Sequence, residues 1–183
     1  RIIDIEERDI YIYGLELLIS TLFTSISILL LAYFIGEMPS AVVFLMVHFL
    51  LKSYTGGYHA NRYYVCYIYS LLTFLVLIII KNSFLPTYKP LVGALLLIVS
   101  IAIIFKFAPV TNKNNPKTEE EIARNKKVAR KRVFILSFLS IIGQALKIEP
   151  VDIWFMIAIT IFSIAYSVIK GKFMERGVKS EEY

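Results

Sequence analysis

Two side chains in this sequence are suited to chemistry beyond packing, and they lie seven residues apart: His59, one of two histidines, and Cys66, the only cysteine. A thiolate is a strong nucleophile, and a nearby imidazole can take its proton and later return it to a leaving group. Both residues belong to one polar, Gly-rich break, Lys52-Ser53-Tyr54-Thr55-Gly56-Gly57-Tyr58-His59-Ala60-Asn61-Arg62, followed by an aromatic run that contains Cys66. On an unbroken helix the two would share a face but stand about 10.5 Å apart along the axis, too far to touch. Gly56-Gly57 permits backbone angles closed to other residues, and Asn61 is a good helix cap. A helix restarting near Arg62 puts Cys66 in its first or second turn, with His59 on the incoming loop. Helix N-terminal amides and an imidazole both favour thiolate. The amides around Gly57, Tyr58 and His59 are candidates for an oxyanion hole. The competing reading is a lone cysteine that packs as a small hydrophobe. One cysteine, two histidines and no carboxylate cluster do not make a zinc site, so no metal or other cofactor is expected.

The elements that must position this pair are membrane helices. Of 183 residues, 57% are hydrophobic and 19% charged, against about 25% charged in a soluble domain. The apolar residues come in long blocks, which is the pattern of an integral membrane protein. The opening stretch is too acidic for the n-region of a signal peptide, and a single cysteine excludes an internal disulfide. The net charge of +6 sits on residues flanking apolar segments, where topology explains it better than nucleic acid does.

In chain order, residues 1–10 suggest a short interfacial helix, and 11–35 a span with Glu16 near its entry. A carboxylate there either reaches the headgroups or finds a partner inside the protein. Pro39 suits the first turn of a new helix. The run 40–51 covers only about 18 Å as a helix, which predicts a short or re-entrant segment beside a polar cavity. It carries His48, read as a hydrogen-bonded core histidine. Residues 63–80, with Tyr63, Tyr64, Tyr67 and Tyr69 at the start, form a span whose aromatic band fits an interfacial girdle or a peptide groove. Residues 90–105 form another. The segment 106–132 is strongly basic and marks the cytoplasmic side. Within it Thr118 and Glu121 predict a capping box. A hairpin of 133–146 and 151–169 closes the chain. The expected fold is all-α and polytopic, one domain of about six hydrophobic segments with a basic cytoplasmic loop helix. Counting back from that loop puts both termini and the 52–62 stretch at the cytoplasmic face.

The stretch from Lys52 to Cys66 resembles the AgrB (accessory gene regulator protein B) family, through Gly56-Gly57-Tyr58-His59-Ala60 and the downstream Cys66. Tyr13-Gly14 followed by Glu16, Ala108-Pro109-Val110, and Asn114 to Pro116 support it, and length and hydropathy agree over nearly the whole chain. The family consists of membrane cysteine endopeptidases that process the autoinducer propeptide of Gram-positive quorum sensing. The resemblance implies a His59–Cys66 dyad, an AgrD-type propeptide as substrate, and closure of a thiolactone or lactone ring. It also implies a homodimer in the bacterial cell membrane, in contact with lipid. Lys52, Gly56, Gly57, Tyr58, Arg62, Tyr63 and Glu16 are the expected supporting or substrate-binding residues. Lys52 stands where the family usually has Arg, and the two differ wherever a bidentate contact is needed. The alternative from another class is a small peptide transporter with a non-catalytic Cys66.

Overall fold

The structure is a computed structural model, and it describes residues 8–57, 63–110 and 117–180. Apolar blocks in a bilayer must satisfy their backbone polar groups internally, and helices do so one segment at a time. The described residues accordingly form six α-helices: α1 (Arg8–Ile35), α2 (Met38–Thr55), α3 (Tyr63–Ser83), α4 (Lys89–Phe107), α5 (Glu119–Ala145) and α6 (Val151–Ser180). Five of them, all but α5, are long and apolar enough to cross a membrane. The helices alternate in direction. The ends of α2, α4 and α6 and the starts of α1, α3 and α5 therefore lie at one end of the bundle, called here the site end. The connections at 36–37, 84–88 and 146–150 lie at the far end.

Helix α6 is the axis of the bundle, packed by α2, α3, α4 and α5. Phe155, Met156, Ala158, Ile161, Ala165 and Val168 on it are fully buried. Buried Thr160 donates its Oγ1 to the Met156 carbonyl at 2.7 Å, and half-buried Ser163 donates its Oγ to the Thr160 carbonyl at 2.8 Å. By contrast, α1 lies on the outside against α2 and α3. Most of its large apolar side chains, from Leu15 to Phe34, are exposed, as suits contact with lipid.

Two ion pairs hold the far end. Lys81 Nζ lies 2.6 Å from Glu37 Oε2 and also donates to Ser40 Oγ at 3.0 Å, tying the end of α3 to the α1–α2 turn. Ser40 Oγ and Asn82 Nδ2 donate to the same carboxylate. Burial alone would raise the Glu37 carboxyl, but these hydrogen bonds and the Lys81 charge outweigh it and hold the group below its usual range. Lys89 meets Asp152 at 2.5 Å and so joins α4 to α6.

Three boundaries differ from the sequence reading. Helix α2 does not stop at Leu51; it runs to Thr55 over 18 residues, about 27 Å, so it is not a short segment. Lys52 and Ser53 read as a polar break because of their side chains, yet their backbone continues the helix. Second, the basic loop helix and the first arm of the final hairpin are one helix, α5, opened by the expected capping box. Glu121 N donates to Thr118 Oγ1 at 3.2 Å and Thr118 N to Glu121 Oε2 at 3.0 Å. Third, α1 is already helical at Arg8, and of the expected interfacial helix over 1–10, residues 1–7 lie outside the described residues.

Candidate active site

The site end is built by the way α2 stops. Lys52 lies in the last turn of α2, and the Gly56 amide donates to its carbonyl at 3.0 Å to cap the helix. Gly56 has φ +65° and Gly57 φ +128°, both in the region that disfavours side chains. Space forbids a side chain as well. A Cβ on Gly56 would fall 2.1 Å from the Val110 carbonyl oxygen, and one on Gly57 2.8 Å from Ser167 Oγ on α6. The strap Ala108-Pro109-Val110 crosses directly over the turn, and Val110 N donates to the Thr55 carbonyl at 3.0 Å. The double glycine thus does two things: it ends α2, and it lets the turn sit flush between the strap and α6.

Helix α3 restarts at Tyr63, which makes Cys66 its fourth residue. Residues 58–62, where the expected restart would fall, lie outside the described residues. Cys66 is a free, half-buried thiol at a helix N-terminus, and its carbonyl accepts from Ser70 Oγ at 2.9 Å. Lys52, half-buried across from it on α2, is within Coulombic reach of Cys66. A lysine facing a thiol at a helix N-terminus can, when protonated, stabilise negative charge on sulfur. Around this pair, Lys170 of α6 lies 5.1 Å over the Tyr69 ring, and Phe23 of α1 packs against Tyr67 with ring centroids 5.2 Å apart. Helices α1 and α3 run parallel, so Glu16, seven residues before Phe23, lies about 10 Å further towards the site end. It is exposed on α1.

Tyr58, His59 and Arg62 lie outside the described residues, as does the Asn114 to Pro116 pattern. Tyr63 is placed only as the first residue of α3. Among the described residues Lys52 lies within Coulombic reach of Cys66, and Gly56 and Gly57 follow the end of α2 that carries Lys52. His48 shares the Lys52 face of α2 one turn deeper. Its Nδ1 lies 3.3 Å from the Phe44 carbonyl and its ring 4.2 Å from the Phe44 ring, which makes it a packed helix histidine. Among the described residues, no three His, Cys, Asp or Glu side chains gather as a metal site would require.

Three contacts at the site end escaped the sequence reading: the strap over Gly56, Ser167 against Gly57, and a pair of arginines. Arg130 Nη2 donates to the Phe105 carbonyl at 2.8 Å, and Arg132 Nη1 to the Leu50 carbonyl at 2.8 Å. Each also stacks on an aromatic ring of the same neighbour, Phe105 at 5.0 Å and Tyr54 at 4.2 Å. In sequence they look like members of a solvated basic run. Being Arg and not Lys does not mark them, since Arg124 of the same run is exposed.

Compared with known proteins, the chain matches the family model AgrB, Accessory gene regulator B, over residues 1–170. Putative AgrB-like protein 2 of Clostridium perfringens is 32% identical over 146 residues, covering 76% of this chain and 68% of the relative. A putative AgrB-like protein of Clostridium beijerinckii is 35% identical over 107 residues, covering 57% and 52%. Protein FsrB of Enterococcus faecalis is 26% identical over 172 residues, covering 91% and 70%. No solved structure matches the chain.

Proposed function

This chain belongs to the AgrB (accessory gene regulator B) family, and from that premise we propose that it is a membrane cysteine endopeptidase. Its substrate is an AgrD-type autoinducer propeptide, and it promotes closure of a thiolactone or lactone ring. The observation that carries this reading is the placement of Cys66, half-buried in the first turns of α3, with the Lys52 charge within reach across the Gly56-Gly57 turn. A packing cysteine needs neither a facing cation nor a turn held on both sides by backbone contacts.

In this mechanism His59 takes the Cys66 proton, and the thiolate attacks the carbonyl after the signal segment of the propeptide. Lys52 and the N-terminal amides of α3 offset the negative charge that develops. Collapse expels the amine of the C-terminal fragment, which takes the proton from His59, and leaves a thioester on Cys66. A thiol or hydroxyl of the bound peptide then gives its proton to His59 and attacks the thioester, closing the ring and returning the Cys66 thiolate. Ring closure wins over hydrolysis only where water is kept away and the internal nucleophile is held close. A site at the ends of the membrane-spanning α2 and α3 is suited to the first.

The basic residues of the site end (Lys106, Arg124, Lys126, Lys127, Lys131 and Lys172 among them) support a cytoplasmic position for that end by the positive-inside rule. They also offer an acidic C-terminal segment of the substrate an attractive field. A peptide transporter would need no particular residue at position 66. The deciding experiment is therefore cleavage of the cognate propeptide by reconstituted protein carrying Cys66→Ala. The expected result is loss of the short C-terminal fragment, and its undiminished release would exclude the mechanism.

A further inference from the structure

The last turn of α2, which carries Lys52, ends beside a turn that contains two glycines, a poor anchor by itself. Its hold comes from α5. Arg132 donates to the Leu50 carbonyl at 2.8 Å and lays its guanidinium 4.2 Å over the Tyr54 ring. Leu50 and Tyr54 flank Lys52 by two residues on each side. At 100° per residue they share one face of α2, and Lys52 points the other way, towards α3 and Cys66. The guanidinium thus grips α2 from behind the site. Two residues earlier, Arg130 grips α4 in the same manner, through the Phe105 carbonyl and ring. Helix α4 then leads into the strap whose Val110 amide bonds the Thr55 carbonyl. The contacts close a circuit: α2, Arg132, α5, Arg130, α4, strap, and back to α2. The neighbouring Arg124, Lys126, Lys127 and Lys131 take no part in it and are exposed.

We propose that Arg132 is a positioning residue for the Cys66 site, fixing the rotation of the last turn of α2, and hence the bearing of Lys52 on Cys66, by its paired contact with Leu50 and Tyr54. The inference rests on the reading of Cys66 as the nucleophile. A cation suffices to complement the negative end of a helix dipole, but only a planar guanidinium can hydrogen-bond a carbonyl and stack on a ring together. Lysine at this position should therefore keep the topology and lose the positioning.

The test compares Arg132→Lys, Tyr54→Leu and the exposed far-end control Lys147→Gln in reconstituted protein, measured by cleavage kinetics on the cognate propeptide. Arg132→Lys and Tyr54→Leu are each expected to lower kcat about tenfold or more with KM within twofold, since small misplacements of reacting groups are costly. Lys147→Gln is expected to change neither. Tyr54→Leu removes the stack from the α2 side and leaves every charge in place, so it answers the question if Arg132→Lys fails to insert. Unchanged kcat in Tyr54→Leu, or a rise in KM alone in either variant, overturns the inference. Cys66→Ala in the same series separates the two claims: cleavage that survives it defeats the catalytic reading, whereas its loss beside normal Arg132→Lys and Tyr54→Leu defeats only the positioning role.

Discussion

At the scale of single residues, the decisive position is Gly56. Its positive φ would strain any side chain, and the Val110 carbonyl occupies the place where a Cβ would go. Because the obstacle is backbone from the strap, no side chain can swing aside to relieve it. Gly56→Ala should cost about 3 kcal/mol through backbone strain and overpacking together. It should appear as a lower thermal midpoint of the purified protein and a faster loss of cleavage on warming. A midpoint equal to that of the unaltered chain would mean that the strap does not rest on the turn. Lys52 is the companion position. In the proposed chemistry its ammonium acts as a compact charge facing Cys66, a role that does not require the fork of an arginine, so the departure from the usual family residue is compatible with it.

At the scale of elements, the two ends of the bundle are secured differently. Guanidinium contacts to helix carbonyls hold the site end, and carboxylate–ammonium pairs hold the far end. Glu37 is held below the usual carboxylate range in the folded protein, so it binds its proton less readily there than in the unfolded chain. Its contribution to stability is therefore complete above its ordinary value of 4.5 and is lost as the pH falls through the lower folded-state value. Glu37→Gln should destabilise the protein by about 3 kcal/mol at neutral pH, because it strands the nearly buried Lys81. The gap in thermal midpoint between variant and unaltered chain should narrow steadily below about pH 4.5. A gap that did not change with pH would remove the ion pair from the account.

How much of this was legible in the sequence follows from what each signal rests on. Apolar block length and punctuation locate most helices, and Thr118 with Glu121 mark a helix start because that cap is local. The end of α2 was misjudged at Lys52 because side-chain polarity was read as backbone irregularity. The strap over Gly56, Ser167 against Gly57, and the separation of Arg130 and Arg132 from their solvated neighbours are all long-range contacts. They depend on which helices become neighbours, and no local pattern reports that.

At the scale of the whole molecule, a central α6 is packed by α2, α3, α4 and α5, and basic charge gathers at one end. That end is proposed to face the cytoplasm. In a Cys66→Ala background, an impermeant maleimide applied to intact cells should label Lys147→Cys at the far end and spare Lys131→Cys at the site end. The reverse pattern would invert the topology. The central claim is that Cys66 carries the substrate as a thioester between cleavage and ring closure. It is tested most directly by intact-protein mass spectrometry after mixing with a propeptide whose ring-closing thiol or hydroxyl has been removed. Cleavage should then stall with the protein heavier by the mass of the N-terminal product. The adduct should map to Cys66 and be released by hydroxylamine. Full release of the C-terminal fragment with no adduct on Cys66 at any time would contradict the account.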